Sequence, residues 1–177
     1  MKAAPYSTPP PGPSGAQWYS IQTRYRFERK VTNCLRNKGW QTFLPVLEEI
    51  HRWSDRSQPV CVPLFSGYTF VRMELSPQLR MELLHTEGVI GLISTRGVAE
   101  PVPAKQIDDL QKLLSLKIPC ALHAFLKVGQ KVRIRGGCLD GLEGILDQRG
   151  EKNLVISLES IERALAITIE GYELEPI

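Results

Sequence analysis

The chain has 177 residues, 42% of them hydrophobic and 23% charged, with a formal net charge of +3 at pH 7. That is the balance of a soluble globular protein of one ordinary domain or two small ones. It holds no apolar run near the ~20 residues that span a bilayer, and no basic segment followed by an apolar one at its start, so neither a membrane span nor a secretory signal is expected.

Cys34, Cys61, Cys120 and Cys138 lie far apart with no Cys-x-x-Cys pair and no neighbouring histidine. This argues against a structural metal and for free thiols in a reducing cytosol. The charge is uneven. Residues 18–56 carry eight basic groups (Arg24, Arg26, Arg29, Lys30, Arg36, Lys38, Arg52, Arg56) against four acidic ones, whereas residues 127–177 carry seven basic against nine acidic. The first region suits either a phosphate backbone or a solvated helix face.

Residues 1–16 hold five prolines with Gly, Ser and Ala, too little apolar area to offset the entropy of ordering them. A disordered tail is expected there, with docking of the proline run in a groove as the other reading. Residues 18–23 read as a strand. Phe27, Val31, Cys34 and Leu35 then form an apolar helix stripe that Gly39 ends, and residues 40–45 read as a second strand. Residues 46–62 alternate weakly around the polar stretch Ser54-Asp55-Arg56-Ser57, which predicts a hairpin.

From Gly67 the alternation Tyr68-Thr69-Phe70-Val71-Arg72-Met73 predicts a strand with Thr69, Val71 and Met73 on one face and Tyr68, Phe70 and Arg72 on the other. Both faces are apolar, so one covers a core and the other is a second core or a docking site. Ser76-Pro77 supplies a helix cap and first position before Leu79, Leu83 and Leu84. Residues 89–94 read as a strand, and Ile107, Leu110, Leu113 and Leu114 as a third helical stripe. This order predicts an α+β sandwich with a mostly antiparallel four-stranded sheet over residues 17–115. Residues 116–126, with Pro119 and no clear period, read as a linker.

Residues 127–177 differ in character. Val128-Gly129-Gln130-Lys131-Val132-Arg133-Ile134-Arg135 alternates, Gly136-Gly137 and Gly141-Leu142-Glu143-Gly144 follow, and residues 154–158 and 165–169 add strands. Short strands separated by glycine predict a small β-barrel, and each of those glycines would cost about 1 kcal/mol inside a helix.

Two resemblances follow. Residues 128–146 resemble a KOW motif, through Val-Gly, Val132-Arg133-Ile134, the glycine pair and Gly141-Leu142-Glu143-Gly144-Ile145, which implies a five-stranded, SH3-like barrel over residues 127–177. Residues 17–115 resemble the N-terminal (NGN) domain of NusG-type transcription factors, through Trp18-Tyr19, Phe43-Leu44-Pro45, Pro63-Leu64-Phe65-x-Gly67-Tyr68-x-Phe70-Val71 and Gly88-Val89. Ser66 stands where the family has proline. Trp53-Ser54-Asp55-Arg56 and Ser160-Ile161-Glu162-Arg163 look closest to the specialised antiterminators of polysaccharide operons related to RfaH.

The resemblance implies a cytoplasmic, monomeric elongation and antitermination factor without cofactor or metal. Its first domain would dock on the clamp helices of RNA polymerase through Tyr68, Phe70, Phe65 and Gln22. Arg80 and Met81 would make a second polymerase contact, and Arg24, Arg26, Arg29 and Lys30 would meet non-template DNA at the transcription bubble. The barrel would take Rho or a small-subunit ribosomal protein through Leu139 and Leu142, residues that a small barrel also needs inside. A ribosome-associated or RNA-binding KOW protein is the alternative, and the acidic balance of residues 127–177 argues against a free-standing RNA binder. Enzymatic activity is not expected: His51, His85 and His123 are scattered, with no nucleophile motif or phosphate-binding loop beside them.

Overall fold

A computed structural model describes residues 15–52, 57–123, 125, 129–147 and 153–177. The expected tail, apart from its last two residues, and the Trp53-Ser54-Asp55-Arg56 tip lie outside the described residues. The architecture is α+β with antiparallel strand pairing, in two compact units, Met1–Ala104 and Lys105–Ile177.

In the first unit β1 (Gln17–Thr23) leads into α1 (Glu28–Asn37) and β2 (Gln41–Phe43). The stripe read from the sequence is the buried one: Val31 and Leu35 are fully buried, against Tyr19, Ile21, Val71 and Met73 of the sheet. Gly39 ends the turn after α1 with φ +85°, a conformation that residues with a Cβ seldom adopt. The hairpin β3 (Val46–Arg52) and β4 (Ser57–Pro63) pairs along its whole length, from Val46 opposite Pro63 to Arg52 opposite Ser57.

Next come β5 (Tyr68–Met73) and α2 (Pro77–Leu84). The Oγ of Ser76 accepts a hydrogen bond from the Leu79 backbone N–H at 3.2 Å, and Pro77 opens the helix. Of the stripe Leu79, Leu83 and Leu84, only Leu83 is fully buried, because this short helix lies against the sheet at one point. Then β6 (Val89–Leu92), β7 (Ser94–Thr95), β8 (Val98–Ala99) and β9 (Pro101–Val102) follow. The main sheet runs β2-β5-β1-β6, the four strands expected, and β9 adds a short fifth on β1.

The second unit holds α3 (Ala104–Ser115) from Lys105 on, then β10 (Cys120–His123), β11 (Gln130–Arg135), β12 (Glu143–Asp147), β13 (Asn153–Leu158), a 3-10 turn (Glu159–Ile161), β14 (Arg163–Thr168) and β15 (Glu173–Pro176). Its sheet order is β10-β14-β13-β12-β11-β15, a barrel sheet around Val132, Ile134, Leu139, Leu142, Leu154, Ile156, Ile167 and Ile169.

Two boundaries differ from the reading at 115 and 116–126. The third helix belongs with the barrel: Leu113 joins its core, and the Lys105 and Lys112 ammonium groups donate to the carbonyls of Gly141 and Asp140 at 2.9 and 2.6 Å. The stretch taken as linker supplies β10, which pairs with β14 from Cys120 opposite Ile167 to His123 opposite Ala164. It thereby adds a sixth strand to the five expected. Pro119 cannot donate to a ladder, but it sits just before that strand.

Candidate docking and nucleic-acid interface

On the sheet face away from α1, strand register sets Gln22 opposite Tyr68, Ser20 opposite Phe70 and Trp18 opposite Arg72. Gln22 is exposed and Tyr68 half-buried, side by side at the start of β5. Phe70 and Phe65 are different. Phe70 is 0% exposed and Phe65 2%, so neither is a surface contact group, and the aromatic face expected from alternation to be bare is largely buried.

The reason is that this part of the face is covered, since Trp18 and Ser20 beside Phe70 are 4% and 0% exposed as well. β5 runs between β2 and β1, and Phe70 sits opposite Phe43 in the β2–β5 register, with the two rings stacked at 6.1 Å. Tyr68 escapes this because it is the first residue of β5, beyond the Phe43 end of β2. Phe65 and Phe70 are thus buried, and Tyr68 and Gln22 form the accessible part.

Tyr68 is held by a tightly bonded turn. The Gly67 N–H donates to Glu28 Oε1 at 2.6 Å, the Thr23 N–H to the Gly67 carbonyl at 2.8 Å, and the Tyr68 N–H to the Phe65 carbonyl at 3.1 Å. Gly67 has φ +81°. Ser66 is exposed, and the rigidity that a proline would bring there is supplied by these bonds. Glu28 is 3% exposed, a positioning residue that sequence reading counted only as a charge. Its sole signal was an acid in the first turn of a helix otherwise headed by Arg and Lys. Beneath it a buried polar seam joins α1 to β5. Thr69 Oγ1 donates to the Phe43 carbonyl at 3.1 Å and stands 2.9 Å from Thr32 Oγ1.

The four basic residues at the start of α1 are all exposed, but they divide. Lys30 pairs with Glu87 at 2.7 Å, and that hydrogen bond holds the Glu87 carboxyl below its ordinary range. Arg29 donates to the Cys61 carbonyl of the hairpin. Arg24 and Arg26 flank Tyr25, with the Arg26 guanidinium over its ring at 5.2 Å, although Arg24 also adds to the positive field that lowers the Glu87 carboxyl. On α2, Met81 is 53% exposed and Arg80 half-buried.

In the second unit Leu139 and Leu142 are both 0% exposed and belong to the core, so they do not present apolar groups to a partner. The loop folds back on itself: Gly136 N–H donates to Asp140 Oδ1 at 2.7 Å, Gly141 N–H to the Ile134 carbonyl at 2.9 Å, and Ile134 N–H to the Leu142 carbonyl at 2.8 Å. This closure turns both leucines inward and leaves Cys138 and Asp140 exposed. Beside it Arg133 grips Glu143 through two nitrogens at 2.9 and 2.7 Å, and Arg135 reaches Glu175, a charged ladder over β11, β12 and β15.

Residues 16–111 match the family described as NusG, transcription termination factor nusG. A curated relative, the transcription termination/antitermination protein NusG of Borreliella burgdorferi, is 21% identical over 183 residues, covering 90% of this chain and 98% of its own length. A solved structure described as domain interaction in Thermotoga maritima NusG is similar with a TM-score of 0.54 at 20% identity. It covers 89% of this chain and 96% of that one, and the likeness is one of fold.

Proposed function

This chain belongs to the NusG family of transcription factors, which are not enzymes, and from that premise we propose that it acts on elongating RNA polymerase through its first unit. The observation that carries this reading is the Tyr68–Gln22 pair, an accessible aromatic and carboxamide beside the buried Phe70 on one strand face within the matched residues. A phenol ring beside a carboxamide, held in a bonded turn, suits the apolar knobs and polar rim of a coiled-coil tip, and binding hot spots favour Tyr in such a place. Phe65 and Phe70 serve the core instead, with the Phe65 carbonyl accepting from the Tyr68 N–H.

Met81 and Arg80 make the second polymerase contact, from a helix whose own stripe leaves Met81 outside. Binding the closed clamp better than the open one disfavours the paused state, with no chemistry needed. Non-template DNA meets the turn of Arg24 and Arg26, whereas Arg29 and Lys30 serve within the protein. The barrel takes a second factor, Rho or a small-subunit ribosomal protein, over the exposed loop of Cys138 and Asp140 rather than through Leu139 and Leu142. The Ser160-Ile161-Glu162-Arg163 motif supports specialisation for a polysaccharide-type operon.

A pull-down of core polymerase by the full chain, run beside filter binding to RNA, tests the reading. Retention of polymerase with weak RNA binding is expected. Tight RNA binding with no polymerase retained contradicts it and supports the RNA-binding alternative.

A further inference from the structure

The turn between β1 and α1 carries a group that the docking reading leaves unused. Tyr25 is 69% exposed, a large ring set in water on a segment that is otherwise firmly fixed. The Thr23 N–H donates to the Gly67 carbonyl at 2.8 Å, the Arg24 N–H to the Gly88 carbonyl at 2.8 Å, and the Phe27 N–H closes the turn on the Arg24 carbonyl at 3.0 Å. Gly88 admits the turn because a Cβ there would stand 2.4 Å from the Phe27 ring. Arg26 has φ +64°, a left-handed conformation that costs a residue with a Cβ roughly 1–2 kcal/mol. Such cost at an exposed turn persists only where the surroundings impose it.

The result is a rigid aromatic ring with a guanidinium on one face and Arg24 as its other chain neighbour. A fixed, solvated ring among cations has the chemistry that receives an unpaired base. Stacking on an aromatic side chain is sequence-tolerant, and cations beside it meet the phosphates. We propose that Tyr25 is a stacking platform for one unpaired base of a single nucleic-acid strand, with Arg24 and Arg26 on the flanking phosphates. A duplex, whose bases are already stacked, gains nothing from the ring. This deepens the nucleic-acid contact in the proposed function and rests on that contact alone, not on polymerase docking.

The test is fluorescence anisotropy of labelled strands of about 12 nucleotides with the full chain, polymerase absent. Single-stranded DNA, RNA of the same sequence and the matching duplex are compared. Wild type is expected to prefer the single strand to the duplex. Tyr25→Phe keeps that affinity, while Tyr25→Ala and Tyr25→Leu lose about 10-fold on the single strand with the duplex unchanged. Whichever strand, DNA or RNA, shows the larger loss is the source of the base.

Arg26→Gly relieves the left-handed strain, so its unfolding midpoint holds or rises, while its binding weakens and its salt slope falls by about one phosphate contact. Wild type binding duplex as well as single strand overturns the proposal, as does Tyr25→Ala binding the single strand like wild type. In either of those cases polymerase retention by Tyr25→Ala at the wild-type level shows that the docking reading stands separately.

Discussion

Replacing Glu28 by alanine tests whether one buried carboxylate fixes the turn that presents Tyr68. The side chain is 3% exposed and its Oε1 accepts from the Gly67 N–H at 2.6 Å, a charge-assisted bond of the kind that contributes about 1.5–3 kcal/mol. Its place in the first turn of α1 adds roughly 0.3–1 kcal/mol through the helix dipole. Glu28→Ala removes both and leaves the half-buried Gly67 N–H without its partner, so a loss of about 2–3 kcal/mol is expected. For a unit of this size that lowers its melting temperature by roughly 10 °C or more.

Glu28→Gln keeps an acceptor without the charge and is expected to recover about half. The assay is urea and thermal unfolding followed by tryptophan emission, since Trp18 is buried and Trp40 half-buried in the same unit. Polymerase affinity is then measured under conditions where the variant is folded, and is expected to fall because the Tyr68 turn is loosened. A Glu28→Ala protein that unfolds with wild type and binds polymerase equally well refutes the reasoning.

Phe70→Ala and Leu142→Ala are each expected to destabilise their own unit by about 3–5 and 2–5 kcal/mol respectively, read as lowered unfolding midpoints. A partner-contact role would instead leave the midpoint unchanged. Burial raises the Asp109 carboxyl above its ordinary value, with the Lys105 hydrogen bond pulling the other way. The folded unit therefore holds that proton more tightly than the unfolded chain, so the contribution is complete below the ordinary aspartate pKa of about 3.9 and is lost as pH rises through the folded value. Asp109→Asn should flatten that part of the stability profile in a melting series from about pH 3 to 7, and an unchanged profile contradicts it.

The elements with strong local causes were readable from residues alone. The Ser76-Pro77 cap, the Val31–Leu35 stripe and the alternation of Tyr68 to Met73 each follow from a period or a cap, and each stands where it was read. What covers a face is a different matter. Period two places Tyr68 and Phe70 on one side, but only the tertiary fold, which buries Trp18, Ser20 and Phe70 together and stacks Phe43 on Phe70, separates a buried ring from a reachable one.

The same holds for Leu139 and Leu142, whose inward turn depends on the loop's own hydrogen bonds. β10 has no alternation to announce it, since its strand state comes from the edge that β14 offers. Glu28 was hidden because its partner lies 39 positions away in sequence.

The docking claim is tested most directly by titrating core RNA polymerase with wild-type and Tyr68→Ala protein, with circular dichroism of each. The account predicts an unchanged spectrum and affinity lower by about 2 kcal/mol or more. A folded Tyr68→Ala protein that binds polymerase like wild type contradicts the account, and an unfolded one shows that the ring is part of the core.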